Sequence, residues 1–185
     1  KSVGDGITCT ADLENEEEVF KVMLELSQDV GHRLRVHGLT ARGVQLWVRA
    51  NDLSGMQCQC KLPFRTQLPS ELTAAGFKLF QERYHWAQKV RAVCIRAIDL
   101  VPKNEEEQLS IFVDNEKRDR RERLEDTIEN LRSRFGKSAI TYACLLGDLK
   151  MPGDGRDKVK MGSLLEIKQA ARERLERKRD TVAPE

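Results

Sequence analysis

Two stretches of alternation, Arg42 to Asn51 and Gln57 to Leu62, constrain the fold more than any other feature of the chain. In the first, Val44, Leu46 and Val48 are apolar while Gln45, Trp47 and Arg49 face the other way. In the second, Cys58, Cys60 and Leu62 oppose Gln57, Gln59 and Lys61. Side chains alternate across a strand with a period of two, so each stretch is a strand with one apolar and one polar face. The Ser54-Gly55 turn between them makes a hairpin. A hairpin is not stable alone and must cover its apolar face with further elements.

The flanking sequence supplies those elements. Asn15 caps a run that opens on Glu16, Glu17 and Glu18, where negative charge suits the helix dipole. Val19, Phe20, Met23, Leu24, Val30 and Leu34 then recur at helical steps until Gly38. Ser70 and Glu71 start a second helix with Leu72, Ala75, Leu79 and Phe80 on its apolar face. Two outer segments alternate again. From Ser2 to Asp12, Ile7 and Cys9 oppose Gly6, Thr8 and Thr10; from Val90 to Leu100, Val93, Ile95 and Ala97 oppose Arg96.

The order is therefore β-α-β-β-α-β, an α+β fold in which two helices cover one face of a four-stranded sheet and leave the other open. The open face is expected to carry Thr8, Thr10, Gln45, Trp47, Arg49, Gln57, Gln59, Lys61 and Arg96, with no acid among them. An ordinary solvated face would look similar. Because 32 basic and 30 acidic residues nearly cancel, attraction to a polyanion must come from such a local arrangement and not from bulk charge.

Beyond Val101 the pattern changes. Pro102 to Glu107 reads as a polar linker, and the island Gln108-Leu109-Ser110-Ile111-Phe112 follows it. A charged helix comes next, with Leu124, Ile128, Leu131 and Phe135 along one face and Gly136 at its end. Gly147 to Lys160 is rich in turn residues and is expected to be mobile; Ser163 and Glu166 begin a basic helix carrying Leu164, Ile167, Ala171 and Leu175. These breaks divide the chain into a sheet domain (1–103), a linker with the island (104–113), a helical extension (114–146) and a loop with a basic tail (147–185).

Several functions have no support in the residues. No apolar run approaches the roughly 18 residues of a membrane span, and Lys1 to Thr10 lack the apolar centre of a signal peptide, so a cytoplasmic protein without membrane partners is expected. Five scattered cysteines read as reduced thiols, and no His lies near Cys58 and Cys60 to complete a zinc set. His32, His37 and His85 have no neighbours spaced as a catalytic triad. No catalytic or metal-ligating residue is assigned.

The opening Lys1-Ser2-Val3-Gly4, leading into Gly6-Ile7-Thr8-Cys9-Thr10-Ala11-Asp12-Leu13, resembles the start of the little-finger domain of Y-family DNA polymerases of the UmuC and DNA polymerase IV type. Leu26-Ser27-Gln28-Asp29-Val30 with Arg33-Leu34-Arg35, Leu62-Pro63 before Arg65-Thr66, and Val90-Arg91-Ala92-Val93-Cys94-Ile95-Arg96 fall in the same family's order. Ile128 to Gly136, followed by Ala139-Ile140, resembles the extension of Firmicutes-type members.

The resemblance implies an open face and strand edge that hold primer-template duplex DNA by its phosphates, without reading sequence. Ser2, Thr8 and Thr10 would offer hydroxyls and Gly4 and Gly6 backbone N–H groups. Arg49, Lys61, Arg65, Arg91 and Arg96 would offer charge, and Thr66 closes the set. By strict alternation Arg91 falls on the apolar face. Gln108, Leu109, Ser110, Ile111 and Phe112 resemble the pentapeptide with which bacterial polymerases bind the sliding clamp, Leu109 and Phe112 being its apolar anchors. Two such anchors contribute roughly 3 to 6 kcal/mol before ordering costs.

The implied parent is a lesion-bypass, error-prone polymerase whose catalytic core, with carboxylates holding magnesium, precedes this segment and acts as its partner. The segment itself is expected to need no cofactor and to catalyse nothing. The competing reading is a non-enzymatic adaptor that works through its basic C-terminal helices.

Overall fold

The computed structural model describes residues 1–105 and 115–152. The helix expected from Ser163 to Arg179 and the island Gln108 to Phe112 lie outside the described residues.

Four strands and two helices follow the expected order: β1 (Val3–Leu13), α1 (Glu16–Val36), β2 (Leu39–Ala50), β3 (Gly55–Thr66), α2 (Pro69–Arg83) and β4 (Val90–Pro102). The sheet order is β1-β4-β2-β3, with every neighbouring pair antiparallel. It follows that β1 and β2 are parallel with β4 between them, and that β3 and β4 are parallel with β2 between them. Each helix thus joins two parallel strands across an intervening one, so the fold is two interleaved split β-α-β units.

Local chemistry accounts for the boundaries. The Asn15 side chain accepts the Glu18 N–H at 2.9 Å, and Gly38 takes the left-handed conformation (φ 61°) that turns the chain from α1 into β2. The third strand runs past its expected end at Leu62 and through Pro63 to Thr66. Only an edge strand tolerates that proline, because its missing N–H can face away from the ladder.

The core lies between the sheet and α1 with α2. Leu13, Val19, Met23, Leu34, Leu46 and Phe80 are completely buried there. Fully burying an aliphatic or aromatic side chain contributes about 1.5–3 kcal/mol. A row of rings, Phe20, Phe77, Phe80, Tyr84 and Trp86, continues the core towards the end of α2, with neighbouring centroids 4.9 to 6.2 Å apart.

The extension α3 (Asn115–Phe135) packs against the outer side of α1, and its apolar stripe is divided, Ile128 and Leu131 being half-buried. Leu124 and Phe135 remain 59% and 66% exposed. Its docking stripe is polar. Arg35 lies 3.6 Å from both Glu125 and Asp126, His32 bonds Glu129, and Arg132 Nη2 donates to the buried Gln28 Oε1. Arg118, Glu125, Glu129 and Arg132 recur at steps of seven, four and three, so these charged side chains share one face of α3.

After α3 the chain turns back along α1. Leu145 and Leu149 are buried against Leu24, with Phe20, Tyr142 and Met151 around them. The first residues of the stretch expected to be mobile, Gly147 to Met151, thus pack on α1 through Leu149.

Candidate nucleic-acid interface

Strand register sets the open face out in four rows. The first is Thr8, Ala92, Arg49 and Gly55; the second Gly6, Cys94, Trp47 and Gln57; the third Gly4, Arg96, Gln45 and Gln59; the fourth Ile98, Gly43 and Lys61. Apart from Thr10, which lies where the β1 register breaks and stands in no row, the residues expected on the face occupy these rows, and no carboxylate stands in any of them.

Glycines recur in the rows because large side chains lie across them. A Cβ on Gly4 would stand 2.9 Å from Arg96 Cγ, and one on Gly6 would stand 2.7 Å from Cys94 Cβ. Gly43 yields similarly to Ile98, at 2.9 Å. These contacts let the sheet carry long polar chains flat upon it. Arg96 Nη1 donates to Gln45 Oε1 and Gln45 Nε2 to Gln59 Oε1, each at 3.4 Å, which makes the third row a hydrogen-bonded ladder. In the first, Arg49 Nη2 donates to Thr8 Oγ1 at 3.1 Å, and its guanidinium lies 5.8 Å from the Trp47 ring centroid. Burial pushes the Cys94 thiol up from its usual range, so the middle of the face stays uncharged.

The edge of β1 adds a second surface. Gly4 accepts from Arg33 Nη2 at 2.8 Å and the Thr10 N–H donates to the Lys150 carbonyl at 2.7 Å, both on the side away from β4. In an antiparallel strand alternate residues turn both backbone groups outward, which places Gly4, Gly6, Thr8 and Thr10 in the outward set. Two of these donors are already engaged: the Thr10 N–H by Lys150 and the Gly6 N–H by Asp5 Oδ1 at 3.1 Å.

Arg91, Thr66 and Arg65, expected among the contacts, stand outside the four rows. Arg91 is the extra residue of a β-bulge, since Val90 pairs with Ala50 and Ala92 with Arg49. The bulge frees Arg91 from the apolar face, and its Nη1 meets Asp12 Oδ1 at 3.2 Å. Thr66 is only 3% exposed, and its hydroxyl accepts the Leu68 N–H at the start of α2. It holds the entry to α2. Arg65 stands at the far end of β3, where its Nη1 donates to the Pro102 carbonyl at 3.4 Å and its own carbonyl accepts from Arg118 Nη2 at 2.7 Å.

Ser2 precedes β1 and is exposed, as are Thr8, Thr10, Lys61 and Arg96. Sequence reasoning missed the roles of Arg33 and Lys150, which meet β1 from α1 and from the extension; no local pattern marks either. No cluster of metal-ligating residues occurs among the described residues. No helix among them is long and apolar enough to cross a membrane.

The chain is 34% identical over 148 residues to DNA polymerase IV of Acetivibrio thermocellus, a match covering 80% of this chain and 37% of that protein. It is 28% identical over 152 residues to DNA polymerase IV of Clostridium kluyveri, covering 79% and 38%. The chain thus spans less than two-fifths of the length of these curated relatives. A solved complex of the beta-clamp processivity factor and the little finger domain of PolIV aligns with 61% of this chain and 100% of that one, at 18% identity and a TM-score of 0.46. Residues 1–111 match the model of the impB/mucB/samB family C-terminal domain. The chain belongs to that family and carries its C-terminal domain, the little finger that the motifs from Lys1 to Arg96 resemble.

Proposed function

We propose that this chain holds primer-template duplex DNA against its open sheet face and β1 edge, without sequence preference, as the little finger of a lesion-bypass DNA polymerase. The observation that carries the reading is the four-row face: Arg49, Lys61 and Arg96 spread over three rows among amides, a hydroxyl and glycines, with no carboxylate between them. Cations and neutral donors on a flat surface suit phosphates, which carry no sequence information. Asp12, at the rim, is neutralised by Arg91. The carboxylates and metal ions of nucleotide transfer belong on this reading to the catalytic core of the parent enzyme. Fluorescence anisotropy with several unrelated duplexes at low salt tests the grip. Similar affinities for all of them are expected, and no binding to any would remove the proposal.

The second half of the reading is recruitment to a bacterial sliding clamp through Gln108 to Phe112. Both flanks of that peptide meet at Arg65, which bonds Pro102 before it and Arg118 after it. The peptide falls among the nine residues between Glu105 and Asn115. Leu109→Ala with Phe112→Ala should abolish binding to the clamp while leaving duplex affinity unchanged; undiminished clamp binding would remove the claim.

A further inference from the structure

The cations of the open face suit phosphates, but a different chemistry stands between them. The second row, Gly6, Cys94, Trp47 and Gln57, separates Arg49 in the first from Arg96 in the third and carries no charged side chain. Cations two rows apart are four strand residues apart, roughly 13 Å at about 3.3 Å per residue. A nucleic-acid backbone resting on both therefore crosses the second row, and between its phosphates it presents sugar.

Trp47 is the one aromatic side chain in the four rows, and it is half-buried. The Arg49 guanidinium lies 5.8 Å from its ring centroid but reaches away to Thr8 on β1. On the other side a Cβ on Gly55 would stand 3.7 Å from the indole Nε1, so the ring runs beside a residue with no side chain to cover it. Cys94, its partner on β4, is small as well. An indole can give a phosphate a single N–H. Its larger part is apolar surface, which matches the C–H face of a sugar.

We propose that Trp47 packs on a deoxyribose of the bound duplex and supplies a part of the grip that salt does not screen, a role that rests on the DNA-binding reading of the face. Contacts between cations and phosphates release counterions and weaken as salt rises, whereas an apolar contact does not. Losing one apolar contact of this kind costs about tenfold in affinity, by the same factor at every salt concentration.

Duplex binding by the full chain, followed by anisotropy across a salt titration, tests the contact. Trp47→Ala should lower the line of log K against log salt by about tenfold at unchanged slope, and Trp47→Phe should recover most of the loss. Unchanged affinity overturns the proposal. A slope shallower by about 0.9 would show that the ring acts by positioning Arg49, and overturns it too. So does a loss confined to duplexes with a single-stranded overhang, which would assign the ring to an unpaired base. The chain has two tryptophans, whose indole N–H resonances report on the unsubstituted protein. Duplex DNA should shift that of Trp47 and leave in place that of Trp86, which packs on Phe80 and Tyr84. An unshifted Trp47 resonance in a chain that binds duplex overturns the sugar contact alone. A chain that binds no duplex at low salt removes the DNA-binding reading, and the contact with it.

Discussion

Replacing Lys61 and Arg96 together by alanine removes two of the three cations in the rows of the open face. Both are exposed, and the hydrogen bond recorded for the Arg96 head, to Gln45, is a long 3.4 Å. The substitution should therefore leave the fold intact and act on charge. If each residue neutralises one phosphate, the slope of log K against log salt becomes shallower by about 1.8, at about 0.9 per contact. Between 1 M and 0.1 M salt that difference accumulates to about 60-fold in affinity, or about 2.4 kcal/mol. The assay is a salt titration of duplex binding by anisotropy. The two lines should converge near 1 M and diverge towards low salt. Lys21→Ala with Lys78→Ala, which removes equal charge from α1 and α2, separates local contact from net charge and should leave the slope unchanged. Parallel lines for the wild type and the Lys61/Arg96 variant would refute the assignment of the face. Equal effects from the two pairs would show that bulk charge is sufficient.

Arg132 joins α3 to the fold by donating twice to the Ile140 carbonyl, at 3.0 and 2.8 Å, and once to Gln28 Oε1. Its replacement by alanine strands the buried Gln28 and should cost about 3 kcal/mol, measured as a lower urea midpoint at unchanged slope. Burial, and then Glu125, push the Tyr142 phenol up to about 12. The neutral phenol is favoured in the folded state, so its stabilisation is complete below about pH 10 and is lost as pH rises towards 12. Tyr142→Phe should flatten that part of the alkaline unfolding profile, and an unchanged profile would count against the pairing with Glu125. Among the thiols, Cys144 is exposed and should react first with a disulfide reagent. Cys9 is 1% exposed and burial raises it to about 11, so it should react only after unfolding.

The parts of the fold that sequence made legible are those governed by local period. Alternation identified Val44, Leu46 and Val48 as core and Gln45, Trp47 and Arg49 as open face, because a strand leaves each side chain only two directions. The cap at Asn15 was legible for the same reason: its partner, Glu18, is three residues away. Arg91 was misplaced by parity because one inserted residue inverts the count, and nothing in Val90-Arg91-Ala92 marks the bulge. Thr66, carried into the expected contacts by resemblance, is buried at the start of α2. The docking face of α3 was the largest difference. Periodicity finds the apolar stripe of a helix, whereas the partners of Arg132 and Glu125 come from α1 about a hundred residues earlier and are invisible to any local window. The same packing changes how the adaptor reading can be tested. Truncation after Lys103 would strip Leu145 and Leu149 from Leu24, so lost DNA affinity in such a fragment would not separate the binding contribution of the extension from its structural one.

Arg65 has a mechanical consequence. A peptide on a free tail can place its partner anywhere within the length of the tail, but one secured at both ends cannot. Fifteen residues separate Pro102 from Arg118 and span at most roughly 50 Å, so with both of these secured at one residue the middle of the segment stays within about 25 Å of it. Arg65 stands beyond the fourth row of the sheet, past Lys61. A body gripping Gln108 to Phe112 would therefore be confined to one end of the open sheet face and would orbit it on a short radius. Cutting the loop would lengthen the tether without altering any contact, turning a fixed geometry into a loose one.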